Sequence, residues 1–130
     1  MRNRPLSPHL TVYRFKYTLT TSILNRLTGL ALSAGLVPLV YWLAAVAAGP
    51  QAQARAQRLL MLPPFRLIGA LLVLCFCYHL AAGIRHLVWD TGRGLERTQA
   101  QRSAWLIGAA SLALALIVGC CVWLAAGRAP

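Results

Sequence analysis

The sequence predicts an all-α membrane protein with three transmembrane helices, and three observations carry that expectation. Hydrophobic residues make up 58% of its 130 residues, with a mean hydropathy of +0.61, well above the usage of soluble globular domains. Charged side chains are missing from three long stretches, Leu27 to Ala54, Leu67 to Ile84 and Ser103 to Gly127. Each stretch can supply the roughly 20 residues needed to cross about 30 Å of hydrocarbon. The spans are placed at residues 22–48, 64–88 and 104–126, behind an N-terminal tail of residues 1–21, all within one domain of residues 1–130.

The tail, "MRNRPLSPHLTVYRFKYTLT", is polar and proline-bearing. It has neither the apolar run of a secretory signal nor the regular amphipathic pattern of a mitochondrial presequence. The expectation is therefore a bacterial chain or an already processed organellar one, inserted by its first helix.

In the first span Ser22, Arg26, Gly29 and Ser33 fall at i, i+4, i+7 and i+11, which puts a hydroxyl, a guanidinium and two small residues on one stripe. The small pair permits close approach of another helix. Taken singly, Ser22 reads as a helix N-cap and Arg26 as a snorkelling boundary anchor. Taken together, they could donate hydrogen bonds to a neutral carbonyl headgroup, with the arginine also open to a carboxylate. The following "AGPQAQARAQR" reads as a polar connector.

The second span ends in "CYHLAAGIRHLVWD", which holds two of the chain's three histidines and one of its two acids. His79 and His86 are seven apart and share a face, with Gly83 between them and Asp90 one turn further on. Their separation along the axis is about 10.5 Å, whereas two axial ligands of one haem iron must lie about 4 Å apart across the ring. One helix cannot supply both. His9 belongs to the tail, so no further histidine of this chain lies within a span. Read from its residues alone, His79 is either a packed, hydrogen-bonded histidine or a ligand, and His86 an interfacial histidine paired with Asp90. Arg85 reads as an interface anchor, and Tyr41, Trp42, Trp89 and Trp105 as aromatic-belt residues. Cys75, Cys77, Cys120 and Cys121 show no CxxC spacing and read as small packing residues.

The net charge of +11 comes from basic residues scattered through tails and loops, without stacking aromatics on one face, so nucleic acid is not an expected partner. Attraction to anionic lipid headgroups and positive-inside topology account for it. Seven basic residues (Arg2, Arg4, Arg14, Lys16, Arg93, Arg97, Arg102) flank one side of the spans and four (Arg55, Arg58, Arg66, Arg128) the other. This asymmetry puts the N-terminus in the cytoplasm, or in the matrix if the chain is organellar.

Three motifs now converge. "RPLSPHLTVYRF", "SILNRLTGLALSAG" and "YHLAAGIRHLVWDTG" occur in order over residues 4–94, and in them the chain resembles the cytochrome b556 subunit family of succinate dehydrogenase. That family provides the larger of the two membrane anchors of respiratory complex II. The resemblance implies half of a heterodimeric helical bundle that binds one haem b jointly with a second three-helix anchor subunit. It implies His79 as axial ligand of the haem iron, the opposite ligand coming from that second subunit. Ser22 and Arg26 would border the ubiquinone site, Arg26 would also approach a haem propionate, and His86 would lie near the propionate end. Many members carry histidine where this chain has Asn25, an amide that can donate a hydrogen bond but holds no charge.

The implied function is that of a haem-binding anchor in the inner membrane, passing electrons from an iron–sulfur subunit to ubiquinone. Succinate oxidation itself falls to a flavoprotein subunit, since this chain has neither a dinucleotide-binding glycine fingerprint nor a cysteine set for a cluster. Two alternatives stand beside it: an anchor of a quinol-oxidising fumarate reductase, and a haem-free structural anchor.

Overall fold

A computed structural model describes residues 17–126. The SPHLTVY motif, His9, the four basic residues of the tail and Arg128 lie outside the described residues.

Four helices follow in order: α1 (Tyr17–Ala47), α2 (Pro50–Leu60), α3 (Pro63–Asp90) and α4 (Arg97–Ala126). Three are long and apolar enough to cross a membrane, over Leu19–Ala47, Pro63–Asp90 and Arg97–Ala125, as the charge-free stretches require. No strand occurs among the described residues.

The spans start earlier than their apolar runs do. Helix α1 begins at Tyr17, so Ser22 lies inside the helix and the N-cap reading of it is corrected. Helix α4 begins at Arg97, seven residues before the expected start at Ala104. In α4 the added turns contain Arg97, Gln99, Ala100, Gln101 and Arg102, which are good helix formers. In α1 they are mostly tyrosine and threonine, which are not, so propensity does not account for that extension. Tyr17 ties the two starts together, its hydroxyl donating to the Arg97 carbonyl over 2.9 Å.

The expected connector after α1 is itself a helix, and this too is a correction. Gly49, at φ 105°, breaks α1 from α2 by taking a backbone conformation that a side chain disfavours. Pro50 then occupies the first turn, where its missing N–H costs nothing. The rest of α2 is alanine, glutamine, arginine and leucine, all good helix formers. Ala56 is wholly buried, so the small side of α2 is turned into the protein. Helix α3 starts on Pro63 and Pro64 and ends at Asp90 with Thr91 as its C-cap, followed by Gly92 and Gly94 at φ 78° and 75°.

Helix α3 is the centre of the packing, lying between α1 and α4. What it and its neighbours bury is mostly small: Ala45, Ala56, Cys77, Ala82, Ala100 and Ser111, with Ile107 and Arg85 the larger exceptions. Small side chains let helix backbones approach closely where no hydrophobic force drives association. The large apolar side chains of all three spans, such as Leu30, Leu87 and Leu116, face outward. Because the spans alternate in direction, the start of α1, the end of α3 and the start of α4 share one end of the molecule. Arg26, Arg93, Arg97 and Arg102 are at that end, and Arg55, Arg58 and Arg66 at the other.

Candidate functional site

His79 projects from the middle of α3 towards α1, where two groups hold one side of its ring. Its Nδ1 lies 3.1 Å from the backbone carbonyl oxygen of Asn25 and 3.3 Å from Thr28 Oγ1. A carbonyl oxygen only accepts, so Nδ1 carries the proton and donates. In the neutral ring that leaves Nε2 with its lone pair, and no hydrogen bond to a described residue occupies it. Thr28 is itself fixed, donating back to the Leu24 and Asn25 carbonyls at 2.8 and 3.0 Å.

Gly29 is what allows the ring to sit so close to α1. A Cβ placed there would come within 3.0 Å of His79 Cε1, closer than carbon atoms pack. Gly29 thus belongs to the histidine's seat rather than to a general helix contact. One turn beyond His79, a Cβ at Gly83 would meet no atom of another described element within 4 Å, so the surface of α3 is open at that position.

His86 is exposed, and its ring meets Trp89 edge-on, with centroids 5.3 Å apart and planes at 81°. No ion pair joins it to Asp90 among the described residues, so the expected pairing is replaced by an aromatic contact. Ser22 is half-buried and lines a cavity of about 220 Å³ with Thr21, Ala82, Arg85, His86 and Trp89. Arg26, a turn further along α1, is exposed and does not line that cavity. The stripe of Ser22, Arg26 and Gly29 is real as a helix face, but its members meet different surroundings: a cavity, the outer surface and the His79 ring.

Arg85 differs most from its sequence reading. It is only 8% exposed, and its guanidinium carbon lies 3.9 Å over the centre of the Trp89 ring. It is thus not an anchor reaching out to headgroups. The spacing of Arg85 and Trp89, one turn apart, was the available signal for this stacked pair. Trp89 in turn donates from Nε1 to the Gly94 carbonyl at 3.0 Å, fixing the α3–α4 loop. All four cysteines are free thiols, and no cluster of three or more metal-ligating side chains occurs among the described residues.

Fold and site define a multi-pass membrane protein with a hydrogen-bonded histidine set within its central span. Comparison with known proteins makes the class specific. Residues 1–118 match the family model described as "Succinate dehydrogenase/Fumarate reductase transmembrane subunit". The chain is 45% identical over 117 residues to the succinate dehydrogenase cytochrome b556 subunit of Paracoccus denitrificans, covering 88% of each protein. It is 36% identical over 118 residues to the subunit of the same name from Rickettsia prowazekii, covering 88% of this chain and 90% of the relative. With the succinate dehydrogenase cytochrome b560 subunit of Reclinomonas americana it shares 38% identity over 129 residues, covering 94% of this chain and 85% of the relative. The chain belongs to the succinate dehydrogenase/fumarate reductase transmembrane cytochrome b subunit family.

Proposed function

We propose that this chain is the haem b-binding anchor subunit of a succinate dehydrogenase and forms part of the site where ubiquinone is reduced. The observation that carries the proposal is the His79 ring, whose Nδ1 is bonded to the Asn25 carbonyl, which leaves the Nε2 lone pair available to a metal. Metal-binding histidines characteristically fix their other nitrogen in this way, which sets the tautomer and raises ligand basicity. The cytochrome b names of the relatives support the same reading.

His79 would hold the iron together with a histidine of a second three-helix anchor subunit. Gly83 would leave the porphyrin face clear, and Arg26 and His86 would lie towards the propionates. When bound, haem b supplies a one-electron carrier within the membrane. The quinone headgroup meets Ser22 and Arg26, which donate to its carbonyl oxygens. Electrons reach it from the iron–sulfur subunit, which receives them from the flavoprotein. Two electrons and two protons convert the quinone to the quinol. The relatives' names favour this direction over fumarate reduction. The bacterial inner membrane, or the mitochondrial one for an organellar chain, is the proposed location.

The test is the absorption spectrum of the complex purified after co-expression of all four subunits. A b-type spectrum at one haem per complex is expected; an assembled, haem-free complex would favour the structural-anchor alternative. A steric prediction accompanies it. Gly29→Val should lower haem affinity by about tenfold or more, since overpacking by extra methyl groups costs about 1–3 kcal/mol. Gly108→Ala, where the added Cβ meets nothing within 4 Å, should leave haem content unchanged. Haem titration of both variants checks the contrast.

We further propose that the end of the molecule bearing Arg26, Arg93, Arg97 and Arg102 faces the cytoplasm or matrix. With the native cysteines replaced, a reporter cysteine at Ala129 should react with an impermeant reagent in intact cells and one at Ser7 should not. Labelling at Ser7 alone would reverse the orientation.

A further inference from the structure

Arg85 poses a problem of charge. It is more than nine-tenths buried near the end of a transmembrane helix, and two of its nitrogens, Nε and Nη2, have no hydrogen-bond partner among the described residues. The chain has only two acids, Asp90 and Glu96, and neither forms an ion pair with it. Stacking on Trp89 compensates one face of the guanidinium. It does nothing for the N–H groups in the plane. A buried, unpaired cation of this kind is strongly unfavourable, so its counter-charge comes from outside this chain.

The positions of the two nitrogens identify that counter-charge. Nε and Nη2 form one edge of the guanidinium, with two parallel N–H bonds that match the two oxygens of a carboxylate. A quinone carbonyl offers a single oxygen and would leave half of the fork unmet. Arg85 also lines the cavity of about 220 Å³ that contains Ser22 and His86, and His86 shares the face of His79. Arg85 lies six residues from His79 in the direction of the boundary, about 9 Å along the axis. A porphyrin held at His79 would direct its carboxylates towards the polar boundary rather than into hydrocarbon.

We propose that Arg85 is a haem carboxylate receptor: stacked on Trp89, it takes one propionate side-on through Nε and Nη2. This rests on the haem reading given above, and it adds to Arg26 and His86 a residue whose side chain is already locked in place. Because Trp89 bonds to Gly94, the receptor is also tied to the α3–α4 loop.

The experiment uses the whole complex, produced in a haem-deficient host and titrated with haem b or with its dimethyl ester, which has no free carboxylates. Wild type should bind haem b more tightly than the ester. In Arg85→Gln, haem b affinity should fall by about ten- to hundredfold, the range for a lost charge-assisted hydrogen bond. Ester affinity should stay close to wild type. Arg85→Lys, which keeps the charge without the fork, should fall between them; should the glutamine variant fail to assemble, the lysine variant carries the same comparison. Equal losses for haem b and ester would make Arg85 a packing residue and overturn the proposal. Wild-type haem affinity accompanied by weakened subunit association would also overturn it, in favour of a carboxylate on a neighbouring subunit. A wild-type complex that binds neither porphyrin would refute the haem reading itself.

Discussion

His79→Ala is expected to strip haem b from the purified complex, whereas His86→Ala should retain it. Losing a partner of a metal ligand typically costs ten- to a hundredfold in affinity, and losing the ligand itself should exceed roughly a hundredfold. His79 is the histidine whose Nδ1 is bonded to the Asn25 carbonyl, so its ring is held in position before any ligand arrives. His86 is exposed and packs on Trp89. It has no comparable seat. The helices should still assemble in both variants, because the packing rests on small residues spread along α1, α3 and α4. Haem content per complex, measured from the reduced spectrum, checks the contrast.

Ser22→Ala and Arg26→Leu should each lower quinone reduction by about one to two decades, while succinate oxidation by an artificial acceptor upstream of the membrane persists. A quinone arrives neutral and gains electron density on its carbonyl oxygens as it is reduced. Donors preset at those oxygens therefore act most strongly as the reaction proceeds. A lost contact of this kind is worth on the order of 1.5–3 kcal/mol. Arg26→Lys should restore only part of the rate, since an ammonium keeps the charge without the planar fork. The structure separates the two residues: Ser22 lines the cavity beneath Trp89, and Arg26 projects outward. Ser22→Ala should consequently act without altering the outer surface on which Arg26 lies. Wild-type rates in both assembled variants would reduce the stripe to packing and anchoring.

The three spans were legible because a charge inside hydrocarbon is costly, so uncharged runs mark the crossings directly. Their starts were less legible. Helices α1 and α4 run through polar sequence before their apolar stretches, and there Tyr17 bonds to the Arg97 carbonyl, a contact that no apolar pattern marks. Helix α2 was missed for a related reason: with few large apolar residues, it buries little more than Ala56, and only the Gly49–Pro50 break announced it. At the site, the spacing of seven between His79 and His86 gave the shared face. The carbonyl that fixes His79 was invisible, because a backbone oxygen on another helix leaves no residue-type signature. Gly29 was the nearest trace of it. Arg85 was misread because long cations at span ends usually snorkel, and the stacked tryptophan that draws it inward depends on packing as well as spacing.

Whether His79 is the iron ligand can be read from chemical rescue with a small external ligand. In the complex carrying His79→Ala, added haem b should give no low-spin b-type spectrum until free imidazole is supplied, whereupon the small ligand fills the vacated position and the spectrum returns. The His86→Ala complex should show the low-spin spectrum without imidazole and change little on its addition. A His79→Ala complex with the wild-type low-spin spectrum in the absence of imidazole would contradict the account.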